Sequence, residues 1–423
     1  MPMSSRASPC RRPCSKPGNC NGGGPRLVCR QDQTTAMKSL ANVSLLLAFL
    51  AALLWPATTT AQEKPYDSKA LQTILIDART GAVMFEKDAD TAVPPASISK
   101  LMTMIMVFEA LKANKITLDT EITISENAWR NGGSLSGGST MYAEVNSQVK
   151  LGDLIKGVVV QSANDACIAI AEALAGSETA FASRMTSRAR ELGLATAEFR
   201  NATGLPDPEH KMSVRELSML ARYIIQNFPE YYKYYSIPEF TWNGITQKNR
   251  NPLLIDYPGA DGMKTGYTKE AGYGLVGSAT RSNRRLIMVI AGLTSLGDRQ
   301  REAQSLLDWG FGQFREIGVY TKGDRVSKAT VWGGTSRSVD LLASDDVVLS
   351  LSRKEQSVVE VKLSYVGPLI APVKAGQKVG KIRFLIDGKD VADVDVEAAS
   401  PIEAVESMWS RALDSLMIMA FGG

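Results

Sequence analysis

Histidine is almost absent from this chain of 423 residues, which contains only His210. A serine hydroxyl is a poor nucleophile until a base removes its proton, and histidine is the commonest base. His210 lies in the Pro- and acid-rich segment 206–211, where we expect a surface-loop position. No serine of the chain lies in a G-x-S-x-G segment. The sequence therefore disfavours a Ser-His-Asp triad.

Cysteine is also scarce in the region that we expect to fold, residues 62–423, which contains only Cys167. The other cysteines lie in a leader rich in arginine, proline and glycine, without a C-x-x-C pair or a nearby histidine. We therefore expect no metal site, no cofactor and no internal disulfide, and a fold that depends on its hydrophobic core. The leader cysteines are Cys10, Cys14, Cys20 and Cys29.

A strong charge excess and a long apolar run are missing too. The formal net charge is +4 and no basic run is interleaved with aromatics, so we expect no nucleic-acid partner. The apolar run 45–54 is short for a membrane span, but it follows Lys38 and precedes the small residues Ala57–Ala61. That order is typical of a secretory signal peptide. We predict a signal peptide at 37–61, a non-native or disordered extension at 1–36, and secretion to the periplasm or cell envelope.

Residues 62–318 have the pattern of one α/β (α+β) domain. A predicted hairpin at 71–86 is followed by a helix from Ser97, and a second helical stretch, 151–175, is interrupted near Ser162. Strands at both ends of the domain with helices between them favour a largely antiparallel sheet beside a helical cluster. Further predicted elements are a helix at 213–227 capped by Ser213, strands at 262–268, 273–280 and 285–293, and a closing helix at 299–314.

The remaining residues form two regions of different pattern. Residues 319–399 contain short alternating stretches, and Asp387-Gly388 between two of them indicates a hairpin, so we predict a small all-β domain with a structural role. Residues 400–423 have apolar residues along one face of a predicted helix at 401–421. This amphipathic helix either makes a peripheral contact with the inner membrane or packs on its own domain or a partner.

Three short sequence motifs, here called strings, contain the residues suited to catalysis. On the predicted helix, Lys100 lies one turn after Ser97 on the same face. A lysine acts as a base only when it is neutral, a form that burial or a second cation such as Lys264 favours. Each string alone is weak evidence, but together they predict a Ser/Lys acyl-transfer site in which Ser162 relays a proton and Asn164 holds an amine or the substrate. The strings are Ser97-Ile98-Ser99-Lys100, Ser162-Ala163-Asn164 and Lys264-Thr265-Gly266.

The segments around these strings resemble those of the D-alanyl-D-alanine carboxypeptidases, which are low-molecular-mass penicillin-binding proteins of the serine-peptidase type. The resemblance covers residues 66–400 and includes 240–245 and 306–311. It implies a serine D,D-peptidase or β-lactamase-like domain followed by a β domain. It also implies removal of the terminal D-alanine from peptidoglycan pentapeptide in cell-wall maturation, with β-lactam antibiotics as inhibitors and no metal or cofactor.

The resemblance also implies a role for each site residue. The backbone N–H groups of Ser97 and Tyr267 would form the oxyanion hole, and Tyr267 stands where the best-known relatives have histidine. A carboxypeptidase must bind a free carboxylate, for which arginine is the usual partner. Counting back from Leu306 places this arginine at Arg299, with Arg301 as the second choice. The other implied roles are Ser97 as acylated nucleophile, Lys100 as base, Ser162 and Asn164 as the middle motif, and Lys264, Thr265 and Gly266 as the strand that binds substrate.

Three alternatives stay open at this point. A D,D-endopeptidase would use the same site on crosslinked peptides. A serine β-lactamase of class A would need an E-x-x-L-N segment for deacylation, which the chain does not contain, and such enzymes lack the extra β domain. A catalytically idle wall-binding scaffold is disfavoured because Ser97, Lys100, Ser162 and Lys264 are all present.

Overall fold

The computed structural model describes residues 66–409, 411–412 and 415–416, which lie in one compact unit. An α/β domain is followed by a β domain. The strands are β1 (Gln72–Asp77), β2 (Val83–Lys87), β3 (Glu121–Thr123), β4 (Gln148–Lys150), β5 (Glu239–Trp242), β6 (Ile245–Lys248), β7 (Ala260–Thr268), β8 (Gly272–Arg281), β9 (Arg284–Leu293), β10 (Phe314–Tyr320), β11 (Arg325–Trp332), β12 (Ser338–Ala343), β13 (Val347–Ser352), β14 (Glu360–Tyr365), β15 (Leu369–Ile370), β16 (Lys378–Ile386) and β17 (Lys389–Ala398).

Helices fill the segments between the strands of the first domain. The helix after Ser213 has the predicted capping box, in which the Ser213 and Glu216 side chains each bind the other's backbone N–H. The α-helices are α1 (Lys100–Lys112), α2 (Glu126–Gly132), α3 (Leu151–Val160), α4 (Asn164–Ala175), α5 (Glu178–Glu191), α6 (Val214–Asn227), α7 (Pro229–Tyr232), α8 (Leu253–Asp256), α9 (Leu296–Gln313) and α10 (Arg353–Gln356).

A five-stranded antiparallel sheet, in the order β2-β1-β9-β8-β7, separates two cores of the first domain. Side chains of a strand alternate between its two faces. Ile287 and Val289 of β9 accordingly pack into the core shared with the helical cluster, whereas Met288 and Ile290 pack into the core under α9. Both faces are buried, which confirms the predicted α/β class. The edge strand β7 carries the third sequence string, Lys264 to Gly266.

The β domain also agrees with its sequence pattern. Its strands form a six-stranded sheet in the order β14-β16-β17-β12-β11-β15 and a separate pair, β10-β13. The β16–β17 hairpin turns at Asp387-Gly388, and both residues have positive φ, +49° and +78°. Phe314 of β10 follows α9 directly, so the strand that enters the β domain begins before residue 319.

A buried ion pair of the α/β domain, Asp77 with Arg284, is hydrogen-bonded to the β domain. The carboxylate of Asp77, at the end of β1, accepts hydrogen bonds from Ser350 Oγ of β13 at 2.8 Å and from Arg284 Nε at 3.2 Å. Arg284 Nη1 also donates to the Phe314 carbonyl at 2.8 Å. Burial alone would raise the pKa of Asp77, but hydrogen bonds from Thr80, Ser350 and Arg284 outweigh it and hold the pKa below its usual range. The ionised carboxylate thus ties β1 to the β domain.

Several predictions fall outside the described residues. These are the extension 1–36 with its cysteines, the signal peptide 37–61, and parts of the predicted helix at 401–421, of which only some positions are described. Among the described residues, no helix combines the length and apolar character required to cross a membrane.

Candidate active site

Ser97 lies in a short 3₁₀ turn, Ala96–Ser99, that continues into α1. Ala96 adopts φ +49°, a left-handed conformation that non-glycine residues rarely hold without support from their surroundings. Two glycines let neighbouring backbone pack closely enough against the turn to hold this conformation. A Cβ atom on Gly204 would lie 2.0 Å from the Ala96 carbonyl oxygen, and one on Gly266 would lie 3.0 Å from the Pro95 carbonyl oxygen. Neighbouring backbone therefore presses on the turn and leaves Ser97 half-buried at the cleft.

Lys100 is the buried neighbour of this hydroxyl. Its side chain is 1% exposed, and its Nζ lies 2.9 Å from Ser97 Oγ. The same Nζ lies 2.8 Å from Asn164 Oδ1 and 2.5 Å from the Thr203 carbonyl oxygen. The structure thus brings Ser97, Lys100 and Asn164 together as the sequence predicts, and adds the Thr203 carbonyl.

The second and third strings meet at another amine. Ser162 lies between α3 and α4 with φ +67°, which matches the predicted break of the helix. Lys264 Nζ of β7 lies 3.0 Å from Ser162 Oγ and 2.8 Å from the Thr265 carbonyl oxygen. Ser162 is therefore linked by one hydrogen bond to the strand and lies two residues from the amide that holds Lys100.

The surroundings of both amines favour their neutral forms. Burial, with the charge of Arg250 acting in the same direction, lowers the pKa of Lys100 to about 8. Burial and then the charge of Lys100 hold the pKa of Lys264 well below its usual range. A neutral amine has two N–H donors and one lone pair. Because Asn164 Oδ1 and the Thr203 carbonyl only accept, they take both N–H groups of Lys100, and the lone pair then faces Ser97 Oγ.

The pKa of Lys100 predicts the pH dependence of acylation. Only neutral Lys100 can accept the Ser97 proton, so the acylation rate constant should rise about tenfold per pH unit below pH 8 and level off above it. Stopped-flow measurement of single-turnover acylation by a penicillin tests this between about pH 6 and about pH 9.5, a range that brackets the pKa of Lys100. A rate that is flat or falls over this range contradicts a neutral lysine base.

A cleft of about 590 Å³ opens in front of Ser97. Thr265, Gly266 and Tyr267 line it along β7, and Tyr267 stacks on Tyr273 with ring centroids 4.2 Å apart. A larger groove of about 1030 Å³ lies between the two domains and contains none of the predicted site residues.

The structure distinguishes between the two candidate arginines. Arg299 lines the cleft, is 6% exposed, and has no hydrogen-bond partner at Nε among the described residues. Burial lowers its pKa to about 10. Arg301 does not line the cleft, and its side chain is 69% exposed and pairs with Asp298 at 2.7 Å. The Nη2 of Arg299 makes one long hydrogen bond, 3.5 Å, to the Arg250 carbonyl oxygen, and no carboxylate among the described residues pairs with Arg299, an arrangement that an anionic group of a substrate would complete.

Sequence reasoning missed a second arginine in the cleft. Arg250, between β6 and α8, lines the cleft and donates from Nη1 to Ser139 Oγ on the loop 133–143, here called the rim loop. Burial lowers its pKa. Asp165 anchors the rim loop, accepting hydrogen bonds from Thr140 Oγ1 and from the backbone N–H groups of Met141 and Ala143. No local pattern marks Arg250, because its position depends on how distant loops pack.

The prediction that His210 occupies a surface loop was wrong. His210 is 2% exposed and packs edge-to-face on Phe199, and its Nδ1 lies 3.4 Å from the Arg200 backbone nitrogen. The backbone pairing of Glu198 with Lys211 draws the loop onto the helical cluster. Burial lowers the pKa of His210 to about 4, so the ring is neutral near pH 7. His210 does not line the cleft, whereas the amine of Lys100 contacts Ser97 Oγ directly.

The thiol of Cys167 does not compete with Ser97 as a nucleophile. Cys167 of α4 is fully buried, and burial raises the pKa of its thiol to about 12, so it stays protonated. Among the residues that the structure describes, no three His, Cys, Asp or Glu side chains are grouped so that they could hold a metal ion.

Comparison with known families gives two matches along the chain. A family described as D-alanyl-D-alanine carboxypeptidase matches residues 57–295. A second, described as Penicillin-binding protein 5, C-terminal domain, matches residues 314–404. Together these matches cover β1 to β9 of the α/β domain and the β domain, whereas α9 lies between the two matched ranges.

Individual relatives agree with this over most of their length. D-alanyl-D-alanine carboxypeptidase DacA of Haemophilus influenzae is 38% identical over 332 residues, 78% of this chain and 84% of that protein. DacC of Escherichia coli is 37% identical over 361 residues, 85% of this chain and 90% of that protein. The crystal structure of penicillin binding protein 5 from Haemophilus influenzae matches with a TM-score of 0.73 at 37% identity, covering 80% of this chain and 99% of that one.

Proposed function

Because the chain belongs to the D-alanyl-D-alanine carboxypeptidase family, we propose that it removes the terminal D-alanine of peptidoglycan pentapeptide through an acyl-enzyme on Ser97. The observation that carries this assignment is the 2.9 Å contact between Lys100 Nζ and Ser97 Oγ, with the other acceptors of Lys100 already in place. Ser97 and Arg299 line one cleft and buried Lys100 contacts Ser97, so the site would supply a nucleophile, a base and an arginine for the terminal carboxylate.

The acylation step follows from this arrangement. Neutral Lys100 takes the proton of Ser97 as Oγ attacks the carbonyl carbon of the penultimate D-alanine. The backbone N–H groups of Ser97 and Tyr267 stabilise the oxyanion that develops. When the peptide bond breaks, the proton that Lys100 took from Ser97 passes through Ser162 to the departing amine of D-alanine, and Lys100 is neutral again. Lys264 holds Ser162 for this transfer by the hydrogen bond at 3.0 Å. The products of this step are free D-alanine and an ester on Ser97.

Deacylation uses the same groups in reverse. After D-alanine leaves, water enters the cleft, and Lys100 removes its proton as it attacks the ester carbon. Ser97 then recovers its proton and the shortened peptide departs. We propose that β-lactam antibiotics acylate Ser97 by the same first step, because opening their ring leaves the amine attached to the acyl group and blocks the approach of water.

Arg299 should bind the terminal carboxylate of the substrate. Arg299→Gln removes the cation, and losing one partner of a buried charge pair should lower kcat/KM for a D-Ala-D-Ala peptide about 100-fold. Released D-alanine is the measured product. Arg301→Gln is the matched control, because the Arg301 side chain is exposed and already paired with Asp298.

A carboxamide substrate separates recognition of the carboxylate from other effects. On a peptide that ends in D-alaninamide, wild type and Arg299→Gln should act at similar rates, since there is no terminal charge to bind. If Arg301→Gln instead shows the larger loss, the terminal carboxylate is bound by Arg301 and our assignment is wrong.

We also propose where the protein acts and how its chain is divided. Removal of the signal peptide 37–61 would release the chain into the periplasm, where peptidoglycan lies. The peptidase domain would be 62–318 and the β domain 319–399, with β10 crossing that boundary. The segment 401–421 would make a peripheral contact with the inner membrane, as its apolar face indicates.

A further inference from the structure

The most exposed large hydrophobic side chains among the described residues fall in two places. Leu135 and Ile255 lie at the rim loop and the cleft, where substrate binds. The other group lies at one end of the β domain, and we call it the end patch. Single exposed hydrophobic residues are ordinary, but a contiguous group indicates a binding surface. The end patch comprises Val366 (87% exposed), Ile370 (69%), Met408 (83%), Trp409 (83%) and Leu416 (62%).

Backbone hydrogen bonds hold the two parts of the end patch side by side. Ile370 of β15 pairs with Trp332 of β11, and the next residue, Gly333, accepts a hydrogen bond from Val405 N at 2.8 Å. Trp332 Nε1 also donates to Ser415 Oγ at 3.0 Å. Trp332, Ile370 and Ser415 line one groove of about 340 Å³. The loop 366–370 and the chain after residue 405 therefore lie next to each other, beside β11 and β15.

We propose that the loop 366–370 inserts into the interface of a lipid bilayer together with the segment 401–421, here called the tail. This second lipid contact rests on the membrane contact proposed above for the tail. Trp409 has the amphipathic ring that favours the boundary between headgroups and acyl chains. The sequence after Leu416 continues as Met-Ile-Met-Ala-Phe, without a charge, so the apolar character extends beyond the patch. A bilayer is the partner that matches apolar residues on both a loop and a tail.

The charge of the tail specifies how the contact works. Glu403, Glu406 and Asp414 outnumber Arg411 between residues 401 and 421. An anionic membrane surface does not attract such a segment, and attraction to headgroups is screened by salt in any case. The burial of apolar side chains is therefore the driving force. Binding should be similar on zwitterionic and anionic vesicles and should change little with salt.

Vesicle co-sedimentation tests this proposal with the chain that begins at Gln62, which contains all described residues. The vesicles are pure phosphatidylcholine, or phosphatidylcholine with phosphatidylglycerol, at low and high salt. Val366→Asp combined with Ile370→Asp should weaken binding roughly tenfold on both, because a charge opposes insertion. Val361→Asp is the matched control, since Val361 is 51% exposed on β14 of the same domain and outside the end patch. Unchanged D-alanine release shows that each variant is folded.

Each other outcome overturns the proposal in a distinguishable way. If wild type does not bind vesicles, both the membrane contact and the loop insertion are wrong. If the double variant binds like wild type while Trp409→Ala loses binding, the tail alone contacts lipid and the loop does not. Binding only to anionic vesicles at low salt contradicts the apolar mechanism. Concentration-dependent dimers of wild type without vesicle binding would assign the end patch to a second copy of the chain.

Discussion

Ser97→Ala should abolish the release of D-alanine from a D-Ala-D-Ala peptide. Removing a catalytic serine eliminates the only atom that can form the acyl-enzyme, and the loss in kcat should be at least about 10,000-fold. The variant should still bind substrate, since Arg299 and the β7 strand are unchanged. Released D-alanine gives the rate, and quenching of fluorescence on peptide binding gives the affinity.

Ser99→Ala is the matched control for this variant. Ser99 lies in the same turn, is fully buried, and its hydroxyl has no hydrogen-bond partner among the described residues. Its loss should leave D-alanine release close to that of wild type. If Ser97→Ala retains more than a small fraction of activity, the reaction does not pass through an ester on Ser97, and a directly activated water has to replace it.

Lys100→Met should nearly eliminate acylation while keeping the helix. Methionine has a similar length but no proton acceptor, and loss of a positioned general base typically costs about 1000-fold. The substitution also leaves Asn164 Oδ1 and the Thr203 carbonyl without their donor. Each unsatisfied group should lower the free energy of unfolding by about 1–3 kcal/mol. Stopped-flow acylation by a penicillin measures the first effect, and thermal unfolding measures the second.

Lys112→Met controls for the chemical change on the same helix. Lys112 ends α1 with an exposed side chain that donates to the Asn227 carbonyl at 3.0 Å, so acylation should not change and the free energy of unfolding should fall by about 1 kcal/mol at most. Comparing the effects of Lys100→Met on acylation and on stability distinguishes a role of Lys100 as a base from a purely structural role. A variant that is destabilised but acylates at the wild-type rate would show that Lys100 only supports the fold, and the base would have to be sought at Lys264.

Local signals made much of the fold predictable. The continuous apolar run 286–291, bounded by Arg285 and Gly292, indicates a short strand, and it is apolar throughout because both faces of the sheet are buried. The pair Ser213 and Glu216 fixes a helix start because each side chain satisfies the other's backbone donor. The three strings lie on the elements predicted for them, Ser97 at the start of a helix, Ser162 at a helix break and Lys264 on a strand.

Features that depend on distant segments were not predictable. The amine of Lys100 donates to the Thr203 carbonyl, which is 103 residues away in sequence, and no residue pattern around Thr203 predicts this contact. Arg250 enters the cleft by contact with the rim loop, and His210 is buried because two strands of backbone pair across its loop. Each results from packing between segments that are remote in sequence. The signal peptide and the membrane contact remain predictions.

The most direct test of the central claim is to identify the residue that a β-lactam acylates. Intact-mass spectrometry after brief exposure to a penicillin should show one adduct with the whole mass of the drug, because ring opening loses no atoms. Peptide mapping should place that adduct on Ser97, and Ser97→Ala should show none. An adduct on another residue, or one that persists in Ser97→Ala, would contradict the account.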